Sequence, residues 1–164
     1  MASNRPSSKT SGLTQHLTQH LMLTTGAQAL ILGASFSAAA AFAHLACVVF
    51  GASAYRFMGA GEKMVHAVKA RKLQPTLVTI AISGVLVVWA AYALGGAGVI
   101  GLLPFSNFAL PAICAVYLGR AVAFPLLKPA FPENSRTFWL VSSGICLFSG
   151  LVHLYGTISV WHAL

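Results

Sequence analysis

The sequence predicts an all-α integral membrane protein, a four-helix bundle with both termini outside and a short interfacial helix ahead of the first span. Three observations lead there. Of the 164 residues, 57% are hydrophobic and only 7% charged, with a mean hydropathy of +0.79, whereas about a quarter of a soluble domain is charged. Four apolar segments, at residues 27–55, 76–94, 105–124 and 138–161, approach or exceed the roughly 20 helical residues that cross a hydrocarbon core of about 30 Å. The basic residues gather in two connections between these segments. Backbone groups cannot go unpaired in lipid, and the period-2 alternation of a membrane barrel is absent, so the spans are helices.

Orientation follows from the charges. The first connection carries Arg56, Lys63, Lys69, Arg71 and Lys72, and the third carries Arg120, Lys128 and Arg136 at or near its ends. Only Arg5 and Lys9 lie on the other side, so the positive-inside rule places both basic connections in the cytoplasm. Trp89, Tyr92, Phe105, Phe108 and Trp161 then ring the outer boundary, and Tyr55, Phe138 and Trp139 the inner one. A signal peptide cleaved after "AFA" at Ala41–Ala43 would leave five charges outside, against that rule. A mitochondrial transit peptide is disfavoured because "MASNRPSSKTSG" holds a single Arg. The net charge of +8 does not mark a nucleic-acid binder, since it sits at span ends and not along the face of a folded domain. Three cysteines inside apolar segments form neither a disulfide framework nor a zinc ribbon.

Residues 1–26 divide into a polar tail and the repeat "LTQHLTQH", which aligns Leu13, Leu17 and Leu21 on one helical face. This reads as a helix lying on the outer membrane surface. Histidines four apart also chelate metals, so His16 and His20, with His162 on the same side, form a candidate metal site. Residues 27–164 make up the transmembrane domain. After the first span, Gly59 and Gly61 interrupt the chain before a short amphipathic helix whose bases face anionic head groups, the predicted lipid contacts being Arg56, Lys63, Lys69, Arg71 and Lys72. Pro75 suits the first turn of the second span. "GGAGVIG" has the GxGxxG spacing, but it joins two membrane helices instead of a strand to a helix, so it reads as a tight hairpin. Pro111 interrupts the third span. Arg120 either snorkels to head groups or pairs with Glu62, and Ser135 is the expected N-cap of the fourth span.

Two stripes of small and polar residues run through the spans. On the first, Gly33, Ser37, Ala40, His44, Cys47 and Gly51 follow helical steps; on the fourth, Ser142, Cys146, Ser149, His153 and Gly156 do the same. Small residues permit close helix contact in lipid, so both stripes are assigned to helix packing inside the bundle. Measured from Arg56 and Phe138, the rise per residue puts Cys47 and Cys146 roughly 13 and 12 Å deep, and His44 and His153 roughly 18 and 22 Å deep. That places histidine level with histidine. Haem b held between His44 and His153 is therefore one expectation, since neutral imidazoles are good axial ligands and helix bundles hold cofactors. The simpler one is that each imidazole hydrogen-bonds within the bundle and each thiol packs as a small apolar group.

The chain has no Asp, and Glu62 and Glu133 both fall in loops, so no span supplies a carboxylate for proton relay or cation coupling. Three functions follow in order. The first is an accessory or assembly protein that acts by helix packing in the bilayer, as a homo-oligomer or with other membrane subunits. The second is a haem b electron-transfer protein. The third is a small-solute transporter or channel, which requires a polar cavity lined by Ser37, His44, Thr79, Ser83 and His153.

At "GASAYRFMGAGEKM" and "NSRTFWLVSSGICLFSGLVHLYG" the chain resembles small, uncharacterised four-span bacterial inner-membrane proteins. The resemblance implies that topology and a bacterial plasma membrane, and carries over no activity, cofactor or catalytic residue.

Overall fold

The computed structural model describes residues 7–164, with side chains from residue 24 onward except that of residue 124. Described residues form helices and turns, with no strand. Helix α1 (Ser7–Phe50) is continuous; α2 (Ala52–Phe57) and α3 (Glu62–Lys69) are short; α4 (Leu73–Gly96) and α5 (Ser106–Val122) follow; α6 (Phe124–Leu127) and a 3₁₀ turn lead into α7 (Arg136–Val160). Three stretches, Thr24–Phe50, Leu73–Gly96 and Arg136–Ala163, are long and apolar enough to cross a membrane. The sequence-derived third span is shorter than expected. Phe105 caps α5 in the left-handed region at φ 61° behind Pro104, and the helix stops before Phe124–Pro125, leaving 17 residues or about 25 Å.

Helix α1 lies between α4 and α7, and α5 packs on α7 and more lightly on α4. Close approach comes from glycine. A β-carbon at Gly156 would stand 2.6 Å from Cγ of Leu30, and one at Gly150 would stand 2.7 Å from Cδ2 of Leu118. The core cluster includes Leu30, Ala34, Leu86, Ala93, Leu110 and Ile113. Outward faces are apolar, as in Phe42 and Val49 of α1, Leu77 and Val87 of α4, and Leu140 and Ile158 of α7, all exposed.

The predicted first span continues to Tyr55, but α1 breaks at Gly51, whose φ of 69° and ψ of −147° favour glycine. The chain then folds back. Tyr55 and Val65, 4% and 1% exposed, close over Cys47, and the Tyr55 hydroxyl lies 2.8 Å from Oγ1 of Thr79 in the first turns of α4. Asn134 donates to the carbonyl of Gly59 at 3.0 Å, tying this strap to the start of α7. Ser135 caps α7 as expected, its Oγ accepting from the backbone N–H of Phe138 at 3.1 Å.

Candidate functional site

Steps of three along α5 place Cys114, Tyr117 and Arg120 on neighbouring positions of one face, and α7 runs alongside it. The result is a polar seam. Sγ of Cys114 lies 3.8 Å from Oγ1 of Thr157. Tyr117 stacks on His153 with ring centroids 5.3 Å apart and planes inclined by 30°. Arg120 donates from Nη2 to Oγ of Ser142 at 3.3 Å and lies 5.4 Å over the Trp139 ring.

All four longer helices meet at Tyr117. From α1, the fully buried Ser37 places Oγ 2.9 Å from its hydroxyl. Trp89 of α4 makes an edge contact at 5.1 Å and 69°. His153 of α7 is fully buried, and its Nδ1 lies 2.8 Å from the carbonyl of Ser149. Because a carbonyl can only accept, Nδ1 carries the proton and Nε2 presents a lone pair. That nitrogen is buried without a partner, and Gly33 covers it. A β-carbon at Gly33 would come within 3.0 Å of Nε2. Chemically, the cluster locks helices together: it holds no carboxylate, and neither Cys114 nor Tyr117 bonds a base.

Several predicted site residues fall elsewhere. His44 is half-buried and bonds the Ala40 carbonyl through Nδ1 at 2.8 Å. Its expected level with His153 does not hold, because His153 packs against Gly33, eleven residues and about 16 Å along α1 from His44. One iron, binding imidazoles at roughly 2 Å as metals do, does not span that offset. The two histidines differ in depth because Arg56 lies beyond the break at Gly51 and does not mark the axial end of α1. Cys47 and Cys146 are likewise not level: Cys47 sits beneath Tyr55, and Cys146 lies on the seam. Both are free thiols.

The proposed pair of Glu62 with Arg120 is replaced. Glu62 accepts from Nε and Nη2 of Arg56 at 2.7 and 3.0 Å, since the turn at Gly59–Gly61 returns the start of α3 to the end of α2. These hydrogen bonds hold the Glu62 carboxyl below the ordinary glutamate value and raise the Arg56 guanidinium. Lys63, Lys69, Arg71 and Lys72 are exposed around α3.

Of the packing residues, Gly33, Ser37, Cys47, Ser149 and Gly156 are buried, Ser142 and Cys146 are half-buried, and Gly51 is the helix break. His162 is exposed in the final 3₁₀ turn, while the side chains of His16 and His20 lie outside the described residues. Among the described residues no group of three metal-binding side chains assembles. Thr79 and Ser83 are buried and donate to carbonyls of their own helix, at 2.8 and 2.9 Å. Trp89 and Trp139, expected at opposite membrane boundaries, are packed inward against Tyr117 and Arg120.

Tyr117 carries no mark in the sequence beyond the three-residue spacing of Cys114, Tyr117 and Arg120 in an apolar helix. No family model matches the chain, and neither a curated protein nor a solved structure matches it significantly.

Proposed function

We propose that this chain is a four-span protein of a bacterial plasma membrane that works by helix packing within the bilayer, as a homo-oligomer or as a subunit of a larger membrane complex. The observation that carries this reading is charge placement. All eight lysines and arginines with described side chains fall in or beside the segments that join α1 to α4 and α5 to α7, which the positive-inside rule assigns to the cytoplasm. Topology supports α5 as the fourth span despite its length. If α4 and α7 both cross starting from the basic side, the chain returns only through α5. Lys63, Lys69, Arg71 and Lys72 then meet anionic head groups. Polar side chains within the helices bond to one another or to carbonyls of their own helix, and the apolar faces remain for lipid or partner helices.

The test is extraction and native electrophoresis. Membranes carrying the protein are washed with alkaline carbonate and then solubilised in a mild detergent. Retention through the wash and migration in a species larger than the 17.1 kDa chain support the reading. Release by carbonate sinks the membrane assignment, and a solitary monomer sinks the packing role.

A further inference from the structure

We propose that the end of the bundle where α1 enters and α7 finishes is a binding site for one divalent transition-metal ion of the zinc, nickel and copper class, held by His16, His20 and His162. The proposal stands on the pairing of α1 with α7 and does not depend on the membrane reading above.

Helix α1 is continuous from Ser7, whereas its apolar stretch begins at Thr24. Residues 7–23, about 25 Å of helix, therefore precede that stretch. They include the repeat "LTQHLTQH", so His16 and His20 stand four residues apart on an unbroken helix and share one face of it. Two histidines at this spacing are the helical arrangement that binds zinc.

The register of α1 against α7 brings a third histidine to the same end. Oγ1 of Thr25 lies 3.1 Å from the Tyr155 hydroxyl, and a β-carbon at Gly26 would stand 2.5 Å from Cβ of Ser159 and 3.2 Å from Cγ1 of Val160. Gly26 is thus level with the last turn of α7. From there His20 lies six residues back along α1, about 9 Å. His162 lies three residues beyond Ser159, through the 3₁₀ turn Trp161–Ala163, about 5 Å in the same direction. The two positions differ by about 4 Å along the bundle, less than the reach of an imidazole side chain. His162 is exposed and open to a ligand.

The donors select the ion. Both carboxylates of the chain, Glu62 and Glu133, stand at the opposite end, at the start of α3 and just ahead of α7, so calcium and magnesium, which take oxygen ligands, are not served there. Cys47, Cys114 and Cys146 lie within the helices of the bundle. Imidazole nitrogens suit zinc, copper and nickel, and three of them leave the fourth tetrahedral position to water or an added ligand.

The experiment titrates the full chain in detergent with Co²⁺, whose visible bands report four-coordinate binding, and then displaces it with Zn²⁺, which binds such sites more tightly. Saturation at one Co²⁺ per chain is expected. His16→Ala, His20→Ala and His162→Ala are each expected to weaken binding about tenfold or more, at least the loss that follows removal of a group supporting a metal ligand. His66→Ala is the control: its Nε2 lies 3.9 Å from Oε2 of Glu62, the other pair of donors four residues apart on a helix, and its loss is expected to leave the affinity unchanged. Circular dichroism of each variant separates loss of a ligand from loss of the fold. Absence of saturable binding overturns the proposal. So does an affinity that survives any of the three substitutions, one that falls in His66→Ala, or a sulfur-to-cobalt band in the near ultraviolet, which would put the ion on a thiol.

Discussion

The imidazole of His153 rests on the backbone of Gly33: a β-carbon there would stand 2.7 Å from Cε1 and 2.8 Å from Nδ1. The ring cannot easily swing away, because Tyr117 stacks on it and Ser149 holds Nδ1. Gly33→Ala therefore sets two effects against each other. Alanine favours the helix by up to about 1 kcal/mol, while overpacking a fixed contact costs about 1–3 kcal/mol. The contact wins, and thermal unfolding in detergent should show a net loss of about 1–2 kcal/mol. Gly84→Ala and Gly144→Ala, where a β-carbon meets no atom within 4 Å, should show none. Equal behaviour at all three positions would mean that α1 and α7 do not meet at Gly33.

The same contact fixes the register of α1 against α7. Eleven residues on from Gly33 and eleven back from His153, the antiparallel helices bring His44 level with Ser142. In a background with the three native cysteines replaced, His44→Cys with Ser142→Cys should form an oxidative cross-link in membranes, and His44→Cys with His153→Cys should not. The opposite pattern would restore a paired-histidine site.

How much was legible follows from which signals are local. Helix content, the presence of α4 and α7, the Ser135 cap and the small-residue faces all derive from composition and periodicity, which act within one element. Register does not. It depended on where α1 stops, and a single glycine in an unbroken apolar run decided that. The site was half visible for the same reason. His153, Ser37 and Ser149 stood out as polar groups on a small-residue face, but Tyr117 and Trp89 look like ordinary apolar-span aromatics until helices from distant parts of the chain converge on them. Glu62 was misassigned because a turn of five residues brings it back to Arg56, a nearer partner than any reached by packing.

Ser37 and Tyr117, eighty residues apart in sequence and 2.9 Å apart in space, offer a direct measure of what such a bond contributes. Ser37→Ala and Tyr117→Phe each remove one partner and keep most of the volume. Each should cost about 1 kcal/mol, and the double variant should cost clearly less than the sum of the two, about 1.4 kcal/mol. Double-mutant cycles in membrane proteins give coupling of about 0.6 kcal/mol on average, and a value of that order is expected here. Fully additive losses would show that the hydroxyls do not interact.

Glu62 predicts a pH dependence whose sign can be worked through. Its carboxyl is held below the ordinary glutamate value by hydrogen bonds from Arg56, so the folded state binds that proton less readily than the unfolded chain does. Stabilisation from this source is therefore complete above the ordinary value, about 4.3, and is lost as pH falls through the lowered one. Both partners are partly exposed, so the effect is modest and weakened by salt. The comparison is best made in a His66→Ala background, which removes the imidazole 3.9 Å from the second carboxylate oxygen. There the unfolding midpoint should exceed that of the added Glu62→Gln variant at neutral pH, and the gap should close in acid. A gap that persists after Glu62 is protonated would place the stabilisation outside the ion pair, in the packing of Tyr55 and Val65 over Cys47.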